Sequence, residues 1–192
     1  MESVQESVLS FHKPDIKEKI FFFISGLLVS VPLTLFFSEF SGMLCVALSP
    51  ILADVCSIVI LAPFIEEFAK VFPLFYRHGE TERSIMILAI LTGLGFGITE
   101  FALYVFALRI PFIYRVPGVL FHASSAGITA YGIAKKKPLL FYSIAVFLHL
   151  VNNLFAVVEI PLLYLPGIAV LVGTFTLAWR FYDRTSESLV VM

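Results

Sequence analysis

Charge is scarce in this chain. Only 14% of its 192 residues are Asp, Glu, Lys or Arg, against roughly 25% in an ordinary soluble domain. The 13 Lys and Arg nearly balance the 14 Asp and Glu, for a formal charge of −1. The basic face that nucleic-acid binding requires is therefore lacking. Cysteine is almost missing too: Cys45 and Cys56 are the only two, and no CxxC occurs. Neither has a histidine at metal-ligand spacing, and a disulfide framework is not expected at this count. There is no GxSxG and no HExxH, which argues against an elbow-type serine hydrolase and against a zincin. What abounds is apolar: 59% of residues, with mean hydropathy +0.97. One core of this length cannot bury so much apolar surface. A soluble globular enzyme and a disordered chain are excluded, which leaves an all-α polytopic membrane bundle solvated by lipid.

Long uncharged runs mark about six spans: Ile20–Ser38, Met43–Tyr76, Ser84–Leu108, Val116–Ala134, Pro138–Val158 and Ile160–Trp179. The first exceeds the core of a signal peptide, about 7–15 residues, and reads as a retained span. Met43–Tyr76 is either one long tilted helix or a re-entrant piece ending near Pro50 followed by a full span. Six crossings put Lys13, Lys17, Lys19, Arg77, Arg83, Lys135, Lys136, Lys137, Arg180 and Arg184 on one side and only Arg109 and Arg115 on the other. By the positive-inside rule both termini are cytoplasmic. Residues 1–192 read as one domain.

Ionisable groups are costly inside a span and usually mark function. Here they are Asp54, Glu66, Glu67, Lys70, Glu100, His122 and His149, with Asn152 and Asn153 nearby. Asp54 suits a cap or a kink near Pro50. At about 1.5 Å rise per residue, Glu66 stands about 16 Å above Arg77, His122 about 19 Å above Lys135, His149 about 18 Å above Lys137 and Glu100 about 24 Å above Ser84. Four helices thus bring titratable groups to a similar depth. Each group also lies on a stripe of small or polar residues spaced three or four apart. The stripes are Gly93, Gly97, Glu100, Tyr104 and Ala107; Gly118, His122, Ser125 and Thr129; and Tyr142, Ala145, His149, Asn153 and Ala156. Such faces pack closely and turn polar heads inward.

Glu66 and Glu67 point about 100° apart on a helix and cannot share one proton. One can face a cavity while the other meets Lys70 or a neighbouring helix. A cavity-facing Glu can take a proton from water, a His can hold the same water, and a second His with an Asn one turn on can donate to an oxyanion. His149 and Asn153 have that spacing. The set reads as peptide-bond hydrolysis within a membrane.

Four segments carry a resemblance. Ala62-Pro63-Phe64-Ile65-Glu66-Glu67-Phe68-Ala69-Lys70 resembles the EExxK motif of the PrsW family. Gly93-Leu94-Gly95-Phe96-Gly97-Ile98-Thr99-Glu100, with Tyr104, resembles its second, Gly-rich motif. Phe121-His122 and His149-Leu150-Val151-Asn152-Asn153 resemble its His motifs. These lie in the family's order within a core of about residues 61–156. The PrsW family is similar to the CAAX prenyl proteases, a superfamily of glutamic-type intramembrane proteases. The resemblance implies Glu66 as base, His122 as its water-holding partner, His149 and Asn153 as oxyanion donors, and Glu67, Lys70 and Glu100 in support, with no cofactor. Two positions depart from the pattern: Phe101 stands where an Asn commonly follows the Glu, and Lys70 replaces the Arg that CAAX-type members carry one residue further on.

The expectation is therefore an intramembrane endopeptidase of the cell membrane, contacting lipid and a membrane-anchored protein or peptide substrate and no nucleic acid. Three alternatives use the same groups. One is a metal-dependent hydrolase with Zn²⁺ on Glu66, Glu100, His122 and His149. Another is a small transporter or proton-coupled channel. The third is a catalytically silent scaffold, motivated by Phe101.

Overall fold

The computed structural model describes residues 12–76, 79–157 and 164–190. Among these, six continuous helices carry most of the chain. They are α1 (Ile16–Cys45), α2 (residues 50–76), α3 (Glu82–Ala107), α4 (Phe112–Ala134), α5 (Pro138–Val157) and α6 (Tyr164–Asp183). No strand is present among the described residues beyond an isolated bridge between Thr81 and Leu189. Helices α1, α3, α5 and α6 contain stretches long and apolar enough to cross a membrane. The protein is an integral multi-pass membrane bundle, and its outward faces carry exposed Phe, Leu, Ile and Val suited to lipid.

The helix starts are chemically specified. Asp15 caps α1 by accepting from the Glu18 N–H, and Glu18 returns the bond to the Asp15 N–H. Thr81 and Ser84 exchange the equivalent pair at α3. Such reciprocal caps satisfy donors that a helix start otherwise leaves free.

The region between the first two spans differs from both expectations. Nothing after Ser38 stops α1, which runs on to Cys45, and the stretch up to Pro50 is not a re-entrant helix. The reversal is short: the Leu48 N–H bonds the Cys45 carbonyl, and Pro50 then opens α2 at a position where its missing N–H is harmless. A second correction concerns the cysteines, which form a disulfide with Cα atoms 5.9 Å apart. A cysteine count cannot anticipate it, because the tight reversal is what brings the end of α1 against the start of α2. Helix α6 is described from Tyr164; residues 158–163, which include the expected start of the sixth span at Ile160, lie outside the described residues, as does Arg77.

Helix α3 is the centre of the bundle, and its glycines let neighbours approach on two sides. A Cβ on Gly93 would stand 2.5 Å from the His122 carbonyl oxygen, and one on Gly97 2.8 Å from the Val119 Cα. These two positions dock α4. On the other side, a Cβ on Gly95 would collide with the Phe23 carbonyl, and one on Gly26 of α1 with that of Thr92. Small residues thus bring α4 and α1 to backbone contact with α3.

Proline and wide turns interrupt the regular register of α2. Residues Val55–Leu61 adopt the wider π-helical register, in which the Ala62 N–H reaches back five residues to the Ser57 carbonyl. Pro73 lacks the N–H that would serve the Ala69 carbonyl. The Ser30 hydroxyl of α1 donates to that carbonyl instead, at 3.0 Å.

One end of the bundle gathers most of the described basic residues. There the Lys135 ammonium meets the Glu82 carboxylate at 2.5 Å, and the Arg83 guanidinium donates to the Thr185 carbonyl and lies over the Tyr182 ring. The segment after α6 bonds to the start of α3, with Glu82 and Arg83 N–H groups donating to the Ser188 and Ser186 carbonyls.

Candidate active site

Helix α2 supplies three ionisable side chains. Glu67 and Lys70 are one turn apart and fully buried, and the Lys70 Nζ stands 2.6 Å from Glu67 Oε1. The pairing is i,i+3; Glu66 takes no part in it. Lys70 also donates to Ser125 Oγ of α4 at 3.3 Å and lies over the Phe96 ring. Burial of two ionisable side chains at such depth calls for this pairing. Glu66 turns the other way and keeps 14% of its side chain exposed.

The two histidines come from α4 and α5. Their rings meet edge to face with centroids 5.4 Å apart. His149 Nδ1 lies 2.8 Å from Glu67 Oε1, the oxygen that Lys70 also contacts. His122 Nε2 lies 2.5 Å from Glu100 Oε2 of α3. Each ring therefore donates one N–H to a carboxylate, and the donation fixes its tautomer. The remaining nitrogens, His122 Nδ1 and His149 Nε2, are left with lone pairs. His149 Nε2 is 3.7 Å from Glu66 Oε2. Glu66 Oε2 and His122 Nδ1 are both buried with no hydrogen-bond partner. One ligand atom each from Glu66, His122 and His149 lies within 4.8 Å of the others. Phe96 and Phe121 pack against the rings and hold them in place.

The remaining sequence-derived residues fall around this centre. Glu100 stands behind His122 and lies outside the three-residue group. Asn153 is one turn beyond His149 on α5, and its amide donates to the Ile58 carbonyl at 3.0 Å. Asp54 is exposed at the start of α2, away from the cluster. All three polar members of the α5 stripe bond to α2: Tyr142 to the Phe64 carbonyl at 2.6 Å, His149 to Glu67, and Asn153 to Ile58.

Arg115 is the residue that sequence reasoning missed. Counted only as one of two outer basic residues, it donates to Glu100 Oε1 at 3.2 Å and stacks on the Tyr104 ring at 3.5 Å. The signal was spacing: Arg115 precedes His122 by seven residues, two helical turns, and so shares its face. Phe101 cannot hydrogen-bond Glu100, and the guanidinium supplies a donor from the next helix.

A groove of about 510 Å³ runs beside residues 64–68 of α2, the stretch that carries Glu66. Phe37, Phe40 and Leu44 of α1 face Phe64, Ile65 and Phe68 across it, with the Ser41 and Tyr142 hydroxyls among its walls.

A family model described as PrsW family intramembrane metalloprotease matches residues 16–179. The match takes in all of the clustered side chains. No curated protein and no solved structure matches the chain.

Proposed function

The chain belongs to the PrsW family of intramembrane metalloproteases, and on that premise we propose that it is a metal-assisted endopeptidase cutting a membrane-anchored protein or peptide at Glu66, His122 and His149. One observation carries the reading. Two imidazoles, each with its far N–H bound to a carboxylate, aim their free nitrogens at the same space as a carboxylate oxygen that has no partner.

That donor set fits a divalent cation. Two His and one Glu with an open position is the ligand composition of many catalytic zinc sites. A carboxylate behind each ligating His is the usual supporting layer, because it fixes the ring and raises its basicity. Glu66, His122 and His149 would hold the ion, while Glu67 and Glu100 would orient the rings. When bound, such an ion supplies Lewis acidity for hydrolysis at neutral pH.

The chain's own residues do the rest. Lys70 balances Glu67 within the core, and the same Glu67 oxygen holds His149 by Nδ1. Arg115 does the same for Glu100 and hence for His122. Phe96 and Phe121 exclude lipid and bulk water from the rings. The apolar groove between Phe37, Phe40 and Leu44 of α1 and Phe64, Ile65 and Phe68 of α2 lies on the residues that flank Glu66 in sequence and suits an apolar substrate segment.

A second reading rests on the 3.7 Å gap between His149 Nε2 and Glu66 Oε2. The gap exceeds a hydrogen bond, and one water can bridge it. Glu66 then takes the water's proton as general base, the oxygen attacks the peptide carbonyl, and no cation is needed. Elemental analysis of the purified protein separates the two. The metal-assisted reading expects about one zinc per chain, cleavage lost to a chelator, and activity restored by added zinc. Full activity in metal-free protein would leave the glutamate-base reading standing.

We assign six crossings with both termini cytoplasmic. The basic residues gathered at one end support this by the positive-inside rule. The Cys45–Cys56 bridge supports it independently, because disulfides persist in oxidising compartments and this one lies at the opposite end, where α1 ends and α2 begins.

A further inference from the structure

The wide-turn register of α2 runs out at a proline. The Ala62 N–H pairs with the Ser57 carbonyl, five residues back. The next bond in that register would join the N–H of residue 63 to the carbonyl of Ile58. Residue 63 is proline and has no N–H. The Ile58 carbonyl is thus deprived of its donor inside a membrane, where an unpaired backbone group is costly. Asn153 of α5 provides one, its amide Nδ2 lying 3.0 Å from that oxygen.

We propose that Asn153 is a positioning residue that replaces the hydrogen-bond donor Pro63 lacks, holding the wide-turn register of α2 that sets the direction of Glu66. The inference rests on the proposed role of Glu66 in hydrolysis. Glu66 lies three positions after Pro63, so a change of register at the proline rotates Glu66 about the helix axis. The wide register advances the chain by less than the usual 100° per residue, and its reversion to α swings every following side chain round. Tyr142 and His149, on the same stripe as Asn153, hold α2 at Phe64 and Glu67. Asn153 is the uppermost of three ties along one seam.

The alternative is that the Asn153 amide touches the reacting carbonyl. A rescue experiment separates the two roles. Asn153→Leu keeps the branching at Cγ and removes the donor. Pro63→Ala supplies a backbone N–H that can serve Ile58 directly. The probe is a quenched fluorogenic peptide with one membrane-spanning helix, co-reconstituted with the full chain in phosphatidylcholine vesicles. Asn153→Leu should lower kcat at least 10-fold with little change in KM. In a Pro63→Ala background the same substitution should cost less than 3-fold. An undiminished loss in that background would overturn the proposal and put the amide on the substrate. If Pro63→Ala is itself inactive, melting in detergent decides. A drop of several degrees on Asn153→Leu that vanishes beside Pro63→Ala supports the tie, and an equal drop in both backgrounds refutes it. Full cleavage by Glu66→Gln would instead sink the hydrolytic reading, and the melting comparison would still judge the tie.

Discussion

Replacing Glu67 by Gln removes one negative charge and almost no volume. Gln can still accept from both Lys70 and His149 at the positions now 2.6 and 2.8 Å from Glu67 Oε1. Contact geometry alone therefore forecasts a mild effect. The electrostatics forecast a large one, because Glu67 and Lys70 are both fully buried and the ammonium loses its counter-charge. Breaking a buried pair from one side costs about 3–5 kcal/mol. At about 2–4 °C per kcal/mol for a chain of this size, Tm should fall by roughly 6–20 °C. The assay is thermal unfolding in detergent, followed by the loss of helical circular dichroism. The double variant Glu67→Gln/Lys70→Met removes the orphaned charge and should recover most of that loss, since an apolar replacement of a buried pair is often neutral. Recovery of stability should not bring back function, because His149 no longer has a charged partner; zinc affinity should remain about 10–100-fold weaker. A Tm change under about 2 °C in Glu67→Gln, or a double variant no more stable than the single, would refute the argument that Lys70 is held as a buried cation by this one carboxylate.

Other perturbations give further tests. Arg115→Gln should leave folding intact yet lower kcat by about 10-fold, as loss of support behind a ligating His does; unchanged turnover would mean that Arg115 is only a surface contact. Gly93→Val should be damaging, because even a Cβ would come 2.5 Å from the His122 carbonyl oxygen. Overpacking of this kind costs about 1–3 kcal/mol, and a variant with wild-type melting and activity would show that α3 and α4 do not need their close approach. Cys45→Ser with Cys56→Ser should lower stability by about 2–3 kcal/mol, the usual scale for a loop of this length, measured against oxidised wild type. Equal melting of the two would deny the bridge a stabilising role.

The sequence was most informative where a side chain conflicted with its surroundings. Glu66, Glu67, His122 and His149 stood out because carboxylates and imidazoles do not belong in apolar runs, and helical rise placed them at one depth. The structure brings them into one cluster. The stripes were legible as well, since Gly93 and Gly97 meet α4 and Tyr142, His149 and Asn153 meet α2. What stayed hidden depended on where helices bend. Which of the two adjacent glutamates meets Lys70 was left open by the spacing, and the ammonium lies against Glu67. The π-helical stretch Val55–Leu61 leaves no periodic signature, and so the bond from Asn153 to Ile58 was out of reach. The Cys45–Cys56 bridge depended on a reversal four residues long. Arg115 lay outside the apolar run and was counted for topology, which hid its reach to Glu100.

The whole account depends on Glu66 facing a catalytic space shared with two histidines. Cleavage of the membrane-spanning fluorogenic peptide by Glu66→Gln, in vesicles and with folding verified by melting, measures this most directly. The account predicts a fall in kcat of about 100–1,000-fold, the scale for removing a group that acts on the reacting atoms, in a protein that melts near the wild-type temperature. Turnover within a few-fold of wild type would contradict it.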